Sequence, residues 1–317
     1  MANLLVKERD IALDRFRGLA IILMAIVNDL GHGVPGIPRI LLHAEDIGLT
    51  FADMVAPLFM FAIAATYRQS FLRRAEKDKK GAYTHAITRY LTIIGIGAFF
   101  SGVSTLSGEL SDWGALQAIG VAGLLALLVV KLPTLVRAAA GFGLLGVYQI
   151  VNQFAIGDDI LHWDHGGLFG SVSWTALLIL ATVMIDLYRK GTVPFLIGTG
   201  VLAGLGAVSA LFWNGVSKNR VSFSYVLVSL AICCALYILL ELLTKALPKW
   251  KSGLVAWWGE NPMLFYIMHL VLIGASQVLF LNVERPLWIA IPSNLALLTL
   301  MSLTAWQLHK RKLYISL

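Results

Sequence analysis

The sequence predicts an all-α fold: a polytopic membrane helical bundle of about ten transmembrane helices, with both termini cytoplasmic. Three observations predict it. The 317 residues are 58% hydrophobic and only 14% charged, with a mean hydropathy of +0.78, whereas a soluble domain carries about 25% charged residues. Apolar runs of the length that crosses a bilayer, roughly 20 residues, recur along the whole chain. Lys and Arg concentrate in alternate loops between those runs. No polar stretch is long enough to fold alone, so residues 1–317 are expected to form a single transmembrane domain.

The first run, about 12–30, opens in a charged stretch: residues 1–17 hold Lys7, Glu8, Arg9, Asp10, Asp14, Arg15 and Arg17. That is too many charges for the apolar core of a signal peptide, so the run is read as a retained span. The second, 48–67, opens on Thr50-Phe51-Ala52-Asp53, which fits a capping box with Asp in place of Glu. The longest polar stretch, 68–89, separates it from the third run, 87–106. Runs four and five, 113–131 and 134–154, follow closely, and the fifth is diluted by Arg137 and glycines. Runs six to eight fall at 168–187, 193–213 and 222–244. The only cysteines, Cys233 and Cys234, are adjacent in run eight, which excludes a disulfide framework. Run nine, 261–281, starts at Asn261-Pro262, a good N-cap and first-turn pair. Run ten spans 287–306.

With ten crossings, 21 of the 25 Lys and Arg fall on one side, and only Arg39, Lys218, Arg220 and Arg285 on the other. The positive-inside rule makes the rich side cytoplasmic. It also accounts for the net charge of +7 without a nucleic-acid partner. The outer side then holds His32, His43, Glu45, Asp46, Glu109, Asp112, Asp158, Asp159, His162, Asp164, His165 and Glu284.

Polar groups in or beside the spans mark candidate chemistry. Asp14, Arg17, Ile21, Met24 and Asn28 recur on one face of the first helix. Tyr266 and His269 share a face of the ninth. His43 sits in the short outer segment between the first two spans. Each has a plainer explanation: Asn28 as glue between helices, His269 as a packed core histidine, His43 as a loop histidine and Asp53 as a cap. His162-Trp163-Asp164-His165 lacks zinc-ligand spacing, so no metal is expected. No phosphate-binding loop or nucleophile elbow is present. From these residues alone, a solute or proton-coupled transporter or flippase ranks first, although no internal repeat supports it.

The order of motifs changes that ranking. Arg9-x4-Asp14-x2-Arg17-Gly18, Met24-x3-Asn28, His43-Ala44 and Gly48-Leu49-Thr50-x-Ala52-Asp53-x3-Pro57 resemble the catalytic region of heparan-α-glucosaminide N-acetyltransferase and its wider transmembrane acyltransferase superfamily. Gly114-Ala115-Leu116-Gln117-x-Ile119-Gly120, Asp164-x2-Gly167-Leu168-x-Gly170, Lys218-Asn219-x2-Ser222-x-Ser224-Tyr225 and Gly259-x-Asn261-x4-Tyr266-x2-His269 continue the resemblance in order. It implies a bacterial-type, inner-membrane enzyme that takes acetyl from cytosolic acetyl-CoA and delivers it to an amino sugar or glycan outside. It also implies a homodimer. The family's catalytic histidine falls on His43 and its functional asparagine on Asn28. His43 is expected as base or transient acetyl carrier, oriented by Asp53 or Asp46, with Asn28 donating to the oxyanion. Arg17, Asp14, Tyr266, His269 and Asn261 are the expected donor-side residues, and Asp46, Asp164 and Lys218 the acceptor-side ones. The chain departs from the pattern at Asp46, where the family often has Trp, at Ala118 for an arginine, and at His165-Gly166 for a proline and an acid. These departures keep open a different acceptor, or a subunit that has lost catalysis.

Overall fold

The computed structural model describes residues 9–31, 34–106, 113–213, 215–247, 253–279 and 285–315. His32, Glu109, Asp112 and Glu284, counted above on the outer side, lie outside the described residues, as do Lys7, Lys249 and Lys251. The described residues are 83% helical, with no strand among them. The helices are α1 (Ile11–Leu30), α2 (Val55–Lys77), α3 (Lys79–Leu106), α4 (Ala115–Ala126), α5 (Thr134–Val151), α6 (Gly167–Lys190), α7 (Thr192–Phe212), α8 (Phe223–Ala246), α9 (Leu254–Glu260), α10 (Pro262–Leu279) and α11 (Leu287–Lys310). A helix therefore lies on each of the ten apolar runs, and α9 is a short addition before the ninth.

Among the described residues, five segments are long and apolar enough to cross a membrane: Thr134–His162, Asp164–Lys190, Thr192–Phe212, Phe223–Ala246 and Leu287–Lys310. Val193, Leu196, Ile197, Val201, Leu205 and Val208 expose one apolar face of α7, a surface that suits hydrocarbon and not water. The protein is an integral membrane protein.

Several boundaries differ from the sequence reading. The polar stretch 68–89, expected as a charged loop, is almost all helix, because α2 runs on to Lys77 and α3 starts at Lys79. α2 begins at Val55 instead of near residue 48, because Gly48 takes a left-handed φ of 140° and residues 50–54 form a loop and one 3-10 turn. Half of the expected capping box forms: Asp53 Oδ2 accepts from the Thr50 N–H at 3.0 Å, but Thr50 Oγ1 lies 2.8 Å from the Leu42 carbonyl. α4 stops after 12 residues. Its apolar run continues as tight turns, with Leu127, Leu128 and Val129 bonding back to Leu124, Leu125 and Ala126.

Contacts divide the chain into two compact units. One joins Met1–Leu41 to Leu236–Leu317, and the other is Leu42–Ala235.

In the first unit, Asp10 caps α1 by accepting from the Leu13 N–H at 2.9 Å. α1 then packs directly on α9. A Cβ on Gly18 would lie 1.7 Å from the Val255 carbonyl oxygen, and one on Gly259 would lie 1.7 Å from that of Asp14. Both motif glycines are thus places where backbones touch. Gly18→Ala is expected to cost at least about 1–3 kcal/mol through overpacking, read as a lower melting temperature; an unchanged value would contradict the crossing.

In the second unit, α6 is the central helix, packed by α2, α4, α5 and α7. It is buried over 83% of its most apolar window, against 22% for α7, as expected of a helix that is apolar all round. Arg137, which weakened run five on paper, is buried. It pairs with Asp186 of α6 and donates to Thr182 Oγ1 and to the Leu132 carbonyl.

Candidate active site

In the second unit, His43 Nδ1 lies 2.8 Å from Asp53 Oδ1. An ionised carboxylate only accepts, so Nδ1 carries the proton and donates. The Asp53 side chain is fully buried, while the imidazole is 41% exposed. Asp53 Oδ2 also accepts from the Thr50 N–H at 3.0 Å and from the Ala44 N–H at 3.3 Å, and lies 3.0 Å from Thr50 Oγ1. The Asp53 carbonyl accepts from Tyr225 OH at 2.7 Å. The carboxylate is therefore held by the loop it terminates, and it fixes one edge of the ring. His43 Nε2 has no hydrogen-bond partner among the described residues. This arrangement suits proton transfer at Nε2.

The loop carrying His43 is fastened to residues 215–220. Ile47 and Ser217 form an isolated antiparallel bridge, and the Gly48 N–H donates to the Val216 carbonyl at 2.8 Å. Asn219 Nδ2 donates to the Glu45 carbonyl at 2.6 Å. Asp46 accepts from Arg220 Nε at 3.0 Å and Nη2 at 2.9 Å, and from Ser217 Oγ at 2.7 Å. Burial works against its charge, but these donors hold Asp46 below the usual carboxylate range. Asp46 thus serves the clasp between the two loops.

The same clasp carries Lys218 inward, where it is 7% exposed. Burial lowers the pKa of its ammonium, and the nearby carboxylates of Asp53 and Asp164 oppose that shift. His165 is buried where the charges of Lys218 and His43 act on it. Its φ of 54° is left-handed, and Gly166 and Gly167 continue in that region at 74° and 59°. The structure therefore brings together His43, Asp53, Lys218, Asp164 and His165. Sequence reasoning gave the first four a site role and weighed His165 only as part of a rejected metal cluster and as a departure from the family pattern; its further signal was the glycine pair that follows it.

The first unit holds the other predicted residues. Asn28 Nδ2 donates to His269 Nε2 at 3.1 Å, and His269 Nδ1 donates to the Tyr266 carbonyl. The two partners fix one neutral tautomer, because one can only donate and the other only accept. His269 is fully buried. Asp14 pairs with Arg9 and, at 3.4 Å, with Arg17. Asn261 sits at the start of α10, but its amide holds the chain end: Nδ2 donates to the Leu313 carbonyl at 3.1 Å, and Oδ1 accepts from the Ile315 N–H at 2.6 Å.

The family model described as heparan-α-glucosaminide N-acetyltransferase, catalytic, matches residues 9–168, half of the chain. The chain belongs to this family. No curated protein matches it significantly. Family membership makes it a membrane acetyltransferase by type, an N-acetyltransferase in the family's description. The matched stretch includes Asp14, Arg17, Asn28, His43, Asp46, Asp53 and Asp164; Lys218, Asn261, Tyr266 and His269 lie beyond it.

One cluster in the first unit was not foreseen. Asp29, 2% exposed, pairs with Arg285 at 3.0 Å and accepts from Asn294 Nδ2 at 2.9 Å. Arg285 also reaches Ser276 at 3.2 Å and Ser293 at 3.3 Å. Arg285 had been counted as a loop charge.

Proposed function

We propose that this member of the N-acetyltransferase family moves acetyl from cytosolic acetyl-CoA to an amino-sugar or glycan acceptor on the outer side, with His43 as the base. The observation that carries it is the His43–Asp53 pair: one ring nitrogen anchored to a buried carboxylate, the other left for the acceptor. In the step, the acceptor amine attacks the thioester carbonyl. The C–N bond forms and the C–S bond breaks. His43 Nε2 takes the amine's proton, which leaves with the CoA thiolate as CoA thiol. Burial works against the Asp53 charge, but hydrogen bonds from His43 and Thr50, with the Lys218 charge adding to them, hold it below the usual carboxylate range, and Asp164 balances Lys218. Asp46 positions the His43 loop.

On the donor side, Arg17 meets the phosphates, Asp14 sets the direction of Arg9 and Arg17, and Tyr266 and His269 line the path of the pantetheine arm. Asn261 supports them by fixing the chain end. These residues belong to the first unit and the base pair to the second, so each set has its own test. The Lys and Arg asymmetry supports ten crossings with both termini inside, in an inner membrane. The family resemblance supports a homodimer.

Acetyl-CoA at about 100 times its dissociation constant is expected to stabilise the purified protein by about 2.7 kcal/mol. Arg17→Ala is expected to weaken that binding, measured by titration of the thermal shift. No shift at millimolar acetyl-CoA would remove the donor from the account, and an unchanged dissociation constant in the variant would remove Arg17.

A further inference from the structure

In the first unit, the chain turns back after α11 and lies on the cluster of Arg9, Asp14 and Arg17. The turn is set locally. The Lys312 N–H donates to the His309 carbonyl and the Leu313 N–H to the Leu308 carbonyl, each at 3.0 Å. That pair of bonds closes a helix whose next residue is left-handed, a place usually filled by glycine. Here Lys312 takes it, at φ 52°, and a side chain stays in that region only where its surroundings fix the backbone.

Two sets of contacts do the fixing. His309 Nδ1 donates to Glu260 Oε1 at 3.0 Å, and its ring stacks on Trp257 with centroids 4.8 Å apart. Asn261, fully buried, brackets Tyr314 on both sides. Its Nδ2 donates to the Leu313 carbonyl at 3.1 Å, and its Oδ1 accepts from the Ile315 N–H at 2.6 Å.

With both neighbours pinned, the Tyr314 ring covers the Arg9 guanidinium, whose carbon lies 4.5 Å from the ring centroid. A ring takes the face of a guanidinium and leaves its edges to donate. Arg9 directs those edges to Asp14 Oδ2 and, at 3.3 Å, to the Glu260 carbonyl. Asp14 meets Arg17 with its other oxygen, Oδ1, at 3.4 Å, a long contact for a guanidinium and a carboxylate.

We infer that Tyr314 is a positioning residue: through Arg9 it keeps one oxygen of Asp14 occupied, so that Asp14 orients Arg17 without clamping it. A carboxylate released by Arg9 takes Arg17 with both oxygens and turns that guanidinium away from the donor's phosphates. The link from Arg17 to the donor rests on the acetyl-transfer function proposed above.

The test is titration of acetyl-CoA on the full-length purified protein, read as the thermal shift. The proteins are wild type, Tyr314→Ala, Tyr314→Phe, Arg17→Ala and the double variant Tyr314→Ala with Arg17→Ala. Tyr314→Ala is expected to raise the dissociation constant about two- to fivefold, the worth of one exposed cation–π contact. Its melting temperature without ligand is expected to stay near that of wild type, because the ring is 54% exposed. Tyr314→Phe keeps the ring and is expected to bind as wild type does. In the double variant, loss of Tyr314 is expected to add nothing to loss of Arg17, since the two act in series. Wild-type binding by Tyr314→Ala beside weak binding by Arg17→Ala would overturn the inference and leave the donor site standing. So would Tyr314→Phe as weak as Tyr314→Ala, or a full further loss in the double variant. An unchanged dissociation constant in Arg17→Ala would instead remove Arg17 from the donor site, and the role of Tyr314 with it.

Discussion

His43→Ala is expected to lower acetyl transfer by about 10²- to 10⁴-fold, the range a positioned general base contributes, while the protein keeps its fold. The fold survives because the imidazole is partly exposed and makes one hydrogen bond. Asp53 is not orphaned by its loss: the Thr50 and Ala44 N–H groups and the Thr50 hydroxyl remain on its Oδ2. Asp53→Asn separates orientation from folding less cleanly. It is expected to lower transfer by about 10²-fold or more, and also to lower the melting temperature, because an amide NH2 in place of Oδ2 cannot accept from the Thr50 and Ala44 N–H groups. Steady-state kinetics on labelled acetyl-CoA, together with thermal unfolding of both variants, checks this. Wild-type turnover by His43→Ala would end its role as base. Normal transfer by Asp53→Asn would end the orienting role of the carboxylate.

The largest expected effect on stability is at Asp29. Asp29→Leu leaves the Arg285 guanidinium buried with its carboxylate gone. Breaking a buried pair from one side costs about 3–5 kcal/mol. Replacing both, with Asp29→Leu and Arg285→Met, is expected to recover most of that loss, since two apolar side chains leave no uncompensated charge. Thermal unfolding in one detergent compares the three proteins. A single variant as stable as wild type would show that the pair carries no weight. A double variant as unstable as the single one would place the cost in lost packing at α1 instead.

The positions of the helices were legible in the sequence because burial in lipid writes long apolar runs. Their ends were less legible, since the start of α2 depends on a loop clasp 170 residues away in sequence, between Asp46 and Ser217 or Arg220. The His43–Asp53 pair was legible because both members lie in one short segment and a motif marked them. Asp29–Arg285 was not, because nothing local to either residue announces a partner 256 positions away. Arg137 read as a flaw for the same reason until Asp186 supplied its partner. Gly18 and Gly259 were visible as motif letters, but only the helix crossing gives them a cause. Asn261 shows the reverse case: α10 starts right after it, at Pro262, but its side chain bonds to residues 313–315 and not to the first turn of that helix.

The most direct test of the central claim is transfer of labelled acetyl from acetyl-CoA to a panel of amino sugars and glycans by the purified protein in proteoliposomes, with His43→Ala alongside. Label on at least one acceptor with wild type, and a loss of at least about 10²-fold with His43→Ala, is the predicted result. Label transferred equally by both proteins, or by neither, would contradict it.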